Sequence, residues 1–516
     1  MENKKLDKKQ VRWDVFIPGF VLVFTAAVIG IVNNQALADI SNQFFNWSLE
    51  SFGWLYQLVT VFCVILTFAV MFSKAGKIRF GGEDAKPRFS FMTWFAMTLT
   101  GGVATGIVSW GVNEPLIYYG NVWGELDGLG IEPFSAEALR FAMGRSFYNW
   151  TFIPYSLYAL IGVLVAYLYF NKKQDLTVTS SLTPLFGDKI KKSKVSTVID
   201  VLSMLGIALG LSSGLAMCIV LLTTGLNSGF GIESTVPLFV GIGVVIVILF
   251  SLSSYIGLDK GLAKVGSLNA YFYYGLLIFL FVVGPTLFIL RNTTAGLGEW
   301  LNNFWTWGLD PIDIGGAPLV RSWTLFDWAV WIAYAPVTAI FLAQISYGRT
   351  VRQFLIINLL LPAVFGIIWF GVWGNNALFM QMSGQLDLVG TIQNSNATMA
   401  LFEFMKALPL GQILVSINLL VILVSFTTAA DAASTSIASM CMKNIPIGSE
   451  APGYMKVIWG AAIGSIAIIM AAFGGGEQGV QGVKSLAAAG GFVVLFIFIL
   501  QVAAAIKVFF IDDVDK

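Results

Sequence analysis

The chain contains no histidine among its 516 residues. That absence removes the commonest metal ligand and the one side chain that ordinarily titrates near neutral pH. Cysteine is scarce: Cys63, Cys218 and Cys441 lie far apart in apolar runs, in neither a zinc spacing nor a disulfide framework. No metal site and no cofactor is expected. Charge is scarce too. Asp, Glu, Lys and Arg make up 11% of the residues, with a net charge of +1, where a soluble domain carries about 25%. No basic block points to nucleic acid. No cluster of nucleophile, base or metal ligands points to an enzyme, and no filter repeated by symmetry points to a channel. The polar N-terminal tail and the final Asp-Asp-Val-Asp-Lys are too short to form a sensing domain.

What fills the chain instead is apolar: 57% of residues are hydrophobic. So much apolar surface with so little charge belongs in lipid. A span needs about 20 apolar residues, and twelve candidates fall at 14–33, 52–73, 90–119, 137–170, 196–223, 236–255, 268–290, 324–345, 354–375, 411–440, 455–473 and 488–510. The sequence predicts an all-α polytopic membrane protein. Twelve spans place both termini on one side. That side holds 24 of the 30 Lys and Arg residues, which predicts cytoplasmic N- and C-termini in a plasma (inner) membrane. Ala36–Asp39 looks like a signal-peptidase site, but the apolar stretch before it is longer than a signal core. The segment 291–323, with Trp300, Phe304, Trp305 and Trp307 among polar residues, predicts an amphipathic helix along the interface.

Two spans carry candidate interruptions. Gly101-Gly102-Val103-Ala104-Thr105-Gly106 lies in the third, and Ala333-Tyr334-Ala335-Pro336 in the eighth. Glycine allows close backbone approach, and proline frees a carbonyl one turn upstream. Small residues also serve ordinary helix packing. Each interruption, however, sits in the first helix of a run of five, which is the arrangement of transporters that bind substrate at broken helices. Aromatic residues gather beside these points. The fourth span reads Asn149-Trp150-Thr151-Phe152-Ile153-Pro154-Tyr155-Ser156-Leu157-Tyr158, and Trp328, Trp331 and Tyr334 form a stripe on the eighth. A quaternary ammonium has no N–H to donate, so ring faces suit it, at about 2 kcal/mol per desolvated contact.

These residues resemble the betaine/carnitine/choline transporter family nearly end to end. The resemblance is carried by Trp94-Phe-Ala-Met, the glycine stretch with Trp110-Gly-Val-Asn-Glu-Pro115, and Asn149-Trp150 through Tyr158. It continues in Trp323-Thr-Leu-Phe-Asp-Trp-Ala-Val-Trp331, Ile345-Ser-Tyr-Gly-Arg-Thr-Val-Arg352 and Thr428-Ala-Ala-Asp-Ala-Ala-Ser-Thr435. It implies two preliminary helices (14–89), a first five-helix repeat (90–290), an external connection (291–323) and an inverted second repeat (324–510), flanked by cytoplasmic ends at 1–13 and 511–516. It also implies a homotrimer working by alternating access on trimethylammonium-type solutes.

Carried over by position, the family's aromatic box becomes Trp150, Tyr155, Tyr158 and Trp331, with Trp328 and Tyr334 beside it. Tyr155 stands where tryptophan is usual, Val330 replaces one tryptophan of a pair, and Asn149 replaces a histidine. The stretch Gly102, Ala104, Gly106 is one glycine short and holds no acid, which favours a zwitterion such as betaine, carnitine or butyrobetaine over choline. Sodium-coupled relatives carry hydroxyls where this chain has Ile207, Leu211 and Ala429, leaving only Thr428. The expectation is sodium-independent exchange; sodium- or proton-coupled symport of glycine betaine or a related amine, and amino-acid symport on the same plan, are the alternatives. Ala263 occupies the place of a fixed arginine found in sodium-independent members. Its neighbour Lys264 is a candidate surrogate cation, with snorkelling to the membrane surface as the plainer role. Three acids fall near the apolar spans. Glu114 is expected to face water, Asp327 to sit at the interface, and Asp431 to be hydrogen-bonded within the bundle, where it is also the candidate for proton coupling.

Overall fold

The computed structural model describes residues 10–102, 104–310, 318–446, 449–473 and 477–512. Among these residues β structure is limited to two isolated bridges, and everything else regular is helical. The chain opens with α1 (Trp13–Val32) and α2 (Asn34–Phe72). The third span is α3 (Phe91–Gly102) and α4 (Ala104–Gly120), and the fourth is α5 (Ala136–Asn149) and α6 (Phe152–Phe170). After the short α7 (Thr183–Phe186) come α8 (Lys194–Phe230), α9 (Val236–Ile256) and α10 (Ala263–Val283), the fifth to seventh spans. The connection carries α11 (Thr286–Gly308). The eighth span is α12 (Phe326–Gln344); the ninth is α13 (Val351–Leu355) and α14 (Leu361–Met382), joined by a π-turn. The hairpin α15 (Leu388–Asn394) and α16 (Ala397–Ala407) precedes α17 (Gly411–Met440), α18 (Gly453–Phe473) and α19 (Glu477–Ile506), the tenth to twelfth spans.

Ten described helices have the length and hydropathy to cross a bilayer, and the bent third span makes eleven. The apolar part of α1, Trp13–Ala26, is shorter and completes the twelve expected segments. Among the boundaries that differ from expectation, three have a plain local cause. Helix α2 begins at Asn34 instead of 52: its polar first half is amphipathic, burying Ser41, Phe45, Ser48 and Leu49 on one face. Helix α8 extends to Phe230, from a Ser193 N-cap that accepts from Ser196 N to a left-handed Gly231. The seventh span ends at Val283 instead of 290, because Gly284-Pro285 cannot continue it. The predicted amphipathic helix accordingly starts at Thr286, and it buries Ile289, Asn292, Gly296, Trp300 and Phe304 in helical register.

Packing repeats at an offset of five spans. Helix α10 packs on α3, as α19 packs on α12. Helix α8 packs on α9 and α18, as α17 packs on α18 and α9. Helix α6 packs on α12, as α14 packs on α4. Five is odd, so spans related by this offset run in opposite directions, and the two halves are inverted copies.

The N-terminal strap ties the halves together. Gln10 O accepts from Lys443 N at 2.7 Å, and Arg12 N donates to Cys441 O at 2.8 Å. The Arg12 guanidinium donates to Met440 O at 3.0 Å and pairs with fully buried Asp200 at 2.7 Å. It therefore satisfies the end of α17 and neutralises an acid in the first turns of α8. Arg12→Ala leaves that carboxylate buried without its cation, a change that costs about 3 kcal/mol. The expected result is a clearly lower melting temperature of the purified protein in detergent; an unchanged one excludes the strap as a fastening.

Candidate substrate site

The third span bends by 60° between Phe91–Gly101 and Gly106–Gly120. The glycine run thus breaks the helix as expected. Val103 lies outside the described residues, and of Gly102 and Ala104 only the helical backbone is described. Both flanks of the break are satisfied by neighbouring spans. Thr428 Oγ1 donates to Thr100 O at 3.3 Å, and Trp369 Nε1 to Ile107 O at 2.7 Å.

The expected interruption at Ala333–Pro336 does not form a break. Helix α12 runs unbroken through Pro336. On either side of the Ile332 carbonyl that the proline frees, neighbouring helices approach closely through glycine: Ala333 O faces Gly206, and Ala329 O lies against Gly491, which has no room for a Cβ. Close helix packing surrounds the proline. A break appears instead in the fourth span, at Trp150 and Thr151. Pro154 has no N–H for the Trp150 carbonyl four residues earlier. That carbonyl points at Gly366 of α14, where it leaves no room for a Cβ. The proline was visible in the sequence, and both helices lie within the single span expected at 137–170.

The break displays Trp150, and three box residues meet there. The Trp331 ring is edge-on to Trp150 at 5.8 Å and to Tyr158 at 5.7 Å between centroids. Tyr155 is buried, and its hydroxyl has no hydrogen-bond partner among the described residues. The hydroxyls of Tyr155 and Tyr334 are electrostatic neighbours of that of Tyr158. Phe370, not singled out in the sequence, lies 5.5 Å from Trp150; its neighbours Trp369 and Trp373 gave the ninth span aromatics with no means of choosing among them. Trp328 turns away from these rings, fully buried and 6.4 Å from Tyr148. The hydroxyl edge of the Tyr334 ring lies against Gly210 of α8, which leaves no room for a Cβ there. Gly106 supports the indole of Trp150 from below: a Cβ at Gly106 would sit 2.7 Å from Trp150 Cη2.

Glu114 corrects an expectation. It is 1% exposed and does not face water. Its carboxylate accepts from Trp150 Nε1 at 2.6 Å, Asn149 Nδ2 at 2.8 Å and Tyr118 OH at 3.3 Å. Asp327 is half-buried at the start of α12. Asp431 is held within the bundle by Ser253 Oγ at 2.5 Å, Ser254 Oγ at 2.7 Å and Thr435 Oγ1 at 3.4 Å.

The four positions considered for sodium are apolar or already engaged. Ile207 is buried and Leu211 half-buried on α8. Thr428 also donates to Ser425 O at 2.7 Å, and Ala429 beside it has no hydroxyl. Ala263 is buried, whereas Lys264 lines an open cavity of about 420 Å³ with Thr93, Asp259, Ser267 and Tyr271.

Breaks in the third and fourth spans of a helical bundle, with aromatic faces converging on the second of them, are the parts of a solute carrier. The family model described as "BCCT, betaine/carnitine/choline family transporter" matches residues 14–513. The chain belongs to this family. An ectoine/hydroxyectoine transporter of Virgibacillus pantothenticus is 30% identical over 92% of each chain. The glycine betaine transporter OpuD of Bacillus subtilis is 31% identical over 91% of this chain and 90% of its own. The high-affinity choline transport protein of Escherichia coli K12 is 28% identical over 88% of this chain and 65% of its own. A solved sodium-coupled sialic acid symporter, in a substrate-bound outward-open state, is 15% identical over 87% of each chain, with a TM-score of 0.44. As a member of the betaine/carnitine/choline family, the chain is a multi-pass membrane transporter.

Proposed function

We propose that this transporter carries a trimethylammonium-type zwitterion (glycine betaine, carnitine or butyrobetaine) by sodium-independent exchange, with the head group held by Trp150, Tyr155, Tyr158 and Trp331. The observation that carries the reading is the meeting of Trp150, Tyr158 and Trp331 around one point, with Trp331 touching both partners. Ring faces hold a cation that has no N–H, and the buried hydroxyl of Tyr155 offers a donor to the carboxylate end. The backbone of Gly102, Ala104 and Gly106 completes the cradle. Relatives that carry glycine betaine, ectoine and choline by name support the substrate class. Ectoine is a cyclic zwitterion, which agrees with a box that tolerates a head group less strictly quaternary.

Sodium prefers several oxygen ligands, and three of the four side chains considered for it, Ile207, Leu211 and Ala429, supply none. In this reading Lys264 serves the membrane surface: it lines an open cavity, while buried Ala263 occupies the inward position. Lys264→Ala is expected to leave betaine exchange within about twofold of the parent, the limit set by a surface-anchoring role. A tenfold loss makes Lys264 the surrogate cation instead. The functional unit is a homotrimer with both termini in the cytoplasm. The substrate class is tested by equilibrium binding of radiolabelled glycine betaine to purified protein, with competition by carnitine, butyrobetaine, choline and ectoine. Displacement by the zwitterions, with choline weaker, is expected. No binding of any methylated ammonium compound overturns the proposal.

A second reading rests on Asp431. Its carboxyl is held by three hydroxyls and forms no ion pair among the described residues. A proton taken up there would drive symport. Asp431→Asn keeps the hydrogen-bonding shape; under the exchange reading it leaves the pH profile of uptake unchanged, and under proton coupling it flattens that profile.

A further inference from the structure

The indole of Trp150 is fixed at two ends. Its N–H donates to Glu114 Oε2 at 2.6 Å, and its far edge lies against Gly106, with room for no Cβ. The other Glu114 oxygen takes Asn149 Nδ2 and Tyr118 OH, and Asn149 also donates to the Tyr118 oxygen at 2.9 Å. The carboxylate is therefore pinned by three neutral donors, and it forms no ion pair among the described residues. Three donors aimed at one carboxyl group stabilise its ionised form, and a charge held there is little screened by water.

We propose that Glu114, working through Trp150, is the positioning and charge-selecting residue of the box: it sets the plane of the indole and makes that ring a stronger partner for a cation than for a neutral group of the same shape. Two physical effects combine. The hydrogen bond locks the ring turn that places the indole edge-on to Trp331. Donation to an anion also pushes electron density onto the indole, which deepens the negative face that attracts a cation. The carboxylate meets the indole at its N–H edge and not over a ring face, so it need not touch the substrate. The proposal rests on the trimethylammonium reading above.

The test compares glycine betaine with 3,3-dimethylbutanoate, in which carbon replaces the ammonium nitrogen, by equilibrium competition on purified protein. Both have the same shape and the same carboxylate; only betaine carries the positive charge. Glu114→Gln retains a carbonyl that can accept the indole N–H but removes the charge. It is expected to weaken betaine about tenfold, as loss of a charged hydrogen bond implies, and the carbon analogue, whose head group is uncharged, by less than about twofold. Glu114→Asp retains the charge but withdraws it by one methylene, so it is expected to weaken both compounds. In a Trp150→Phe background, which has no indole N–H, the effect of Glu114→Gln on betaine shrinks to less than about twofold if the carboxylate acts through the ring. Equal losses for betaine and its carbon analogue in Glu114→Gln, or an undiminished effect in the Trp150→Phe background, overturns the proposal. Should Glu114→Gln yield no folded protein, the same betaine-to-analogue affinity ratio measured for Tyr118→Phe, which strips one donor from the carboxylate, decides it: a ratio unchanged from the parent overturns the proposal. If the parent protein binds no trimethylammonium compound, the substrate reading fails instead, and the two failures are distinct.

Discussion

Trp331→Ala weakens equilibrium binding of glycine betaine by about a hundredfold, because the ring contributes its own cation attraction and also braces its neighbours. Trp331 is edge-on to both Trp150 and Tyr158. Truncation removes one face of the box and frees the other two rings to turn. Trp331 is itself only half-buried, so the substitution is expected to lower stability less than removal of a fully buried tryptophan, which costs about 3–5 kcal/mol. Binding and melting temperature therefore separate: a large loss of affinity with a modest shift in melting marks a binding residue. Trp328→Ala is the contrast. Trp328 is fully buried against Tyr148, away from the box, and its loss is expected to appear mainly in melting. If Trp328→Ala and Trp331→Ala affect binding equally, the box is drawn in the wrong place.

Gly106→Ala is the second large effect. The added methyl would sit 2.7 Å from Trp150 Cη2, closer than carbon atoms approach. Trp150 cannot swing freely, because Glu114 holds its N–H. Either the indole leaves the box or the hinge of the third span shifts, and overpacking of this kind costs about 1–3 kcal/mol. Affinity for betaine is expected to fall about tenfold or more. Partial recovery in Gly106→Ala combined with Trp150→Phe, where the smaller ring makes room, assigns the loss to this contact. No recovery places the cause in the backbone of the break.

The spans were legible because hydropathy is a local property. Helix α17 begins at Gly411 and ends at Met440, as apolar periodicity indicated. The amphipathic helix of the connection was legible for the same reason, although Gly284-Pro285 starts it earlier. The hinge in the third span was written in its glycines. Pro336 was misread, because whether proline breaks a helix depends on what packs around it, and Gly206 and Gly491 lie far from it in sequence. Glu114 was misread for a related reason. Its place near a helix end gave no sign that Asn149 and Trp150, 35 and 36 residues on, would fold over it. The family resemblance supplied Trp150, Tyr158 and Trp331 as a group; it also supplied Trp328, which the fold turns elsewhere.

The account makes betaine exchange independent of sodium, since Ile207, Leu211 and Ala429 offer no side-chain oxygen where sodium would be bound. Proteoliposomes containing the purified protein test this directly, as uptake of radiolabelled glycine betaine with and without sodium outside, and with and without unlabelled betaine inside. The predicted result is uptake that needs internal betaine and is the same in sodium as in potassium. Uptake that needs a sodium gradient and proceeds into empty vesicles contradicts it.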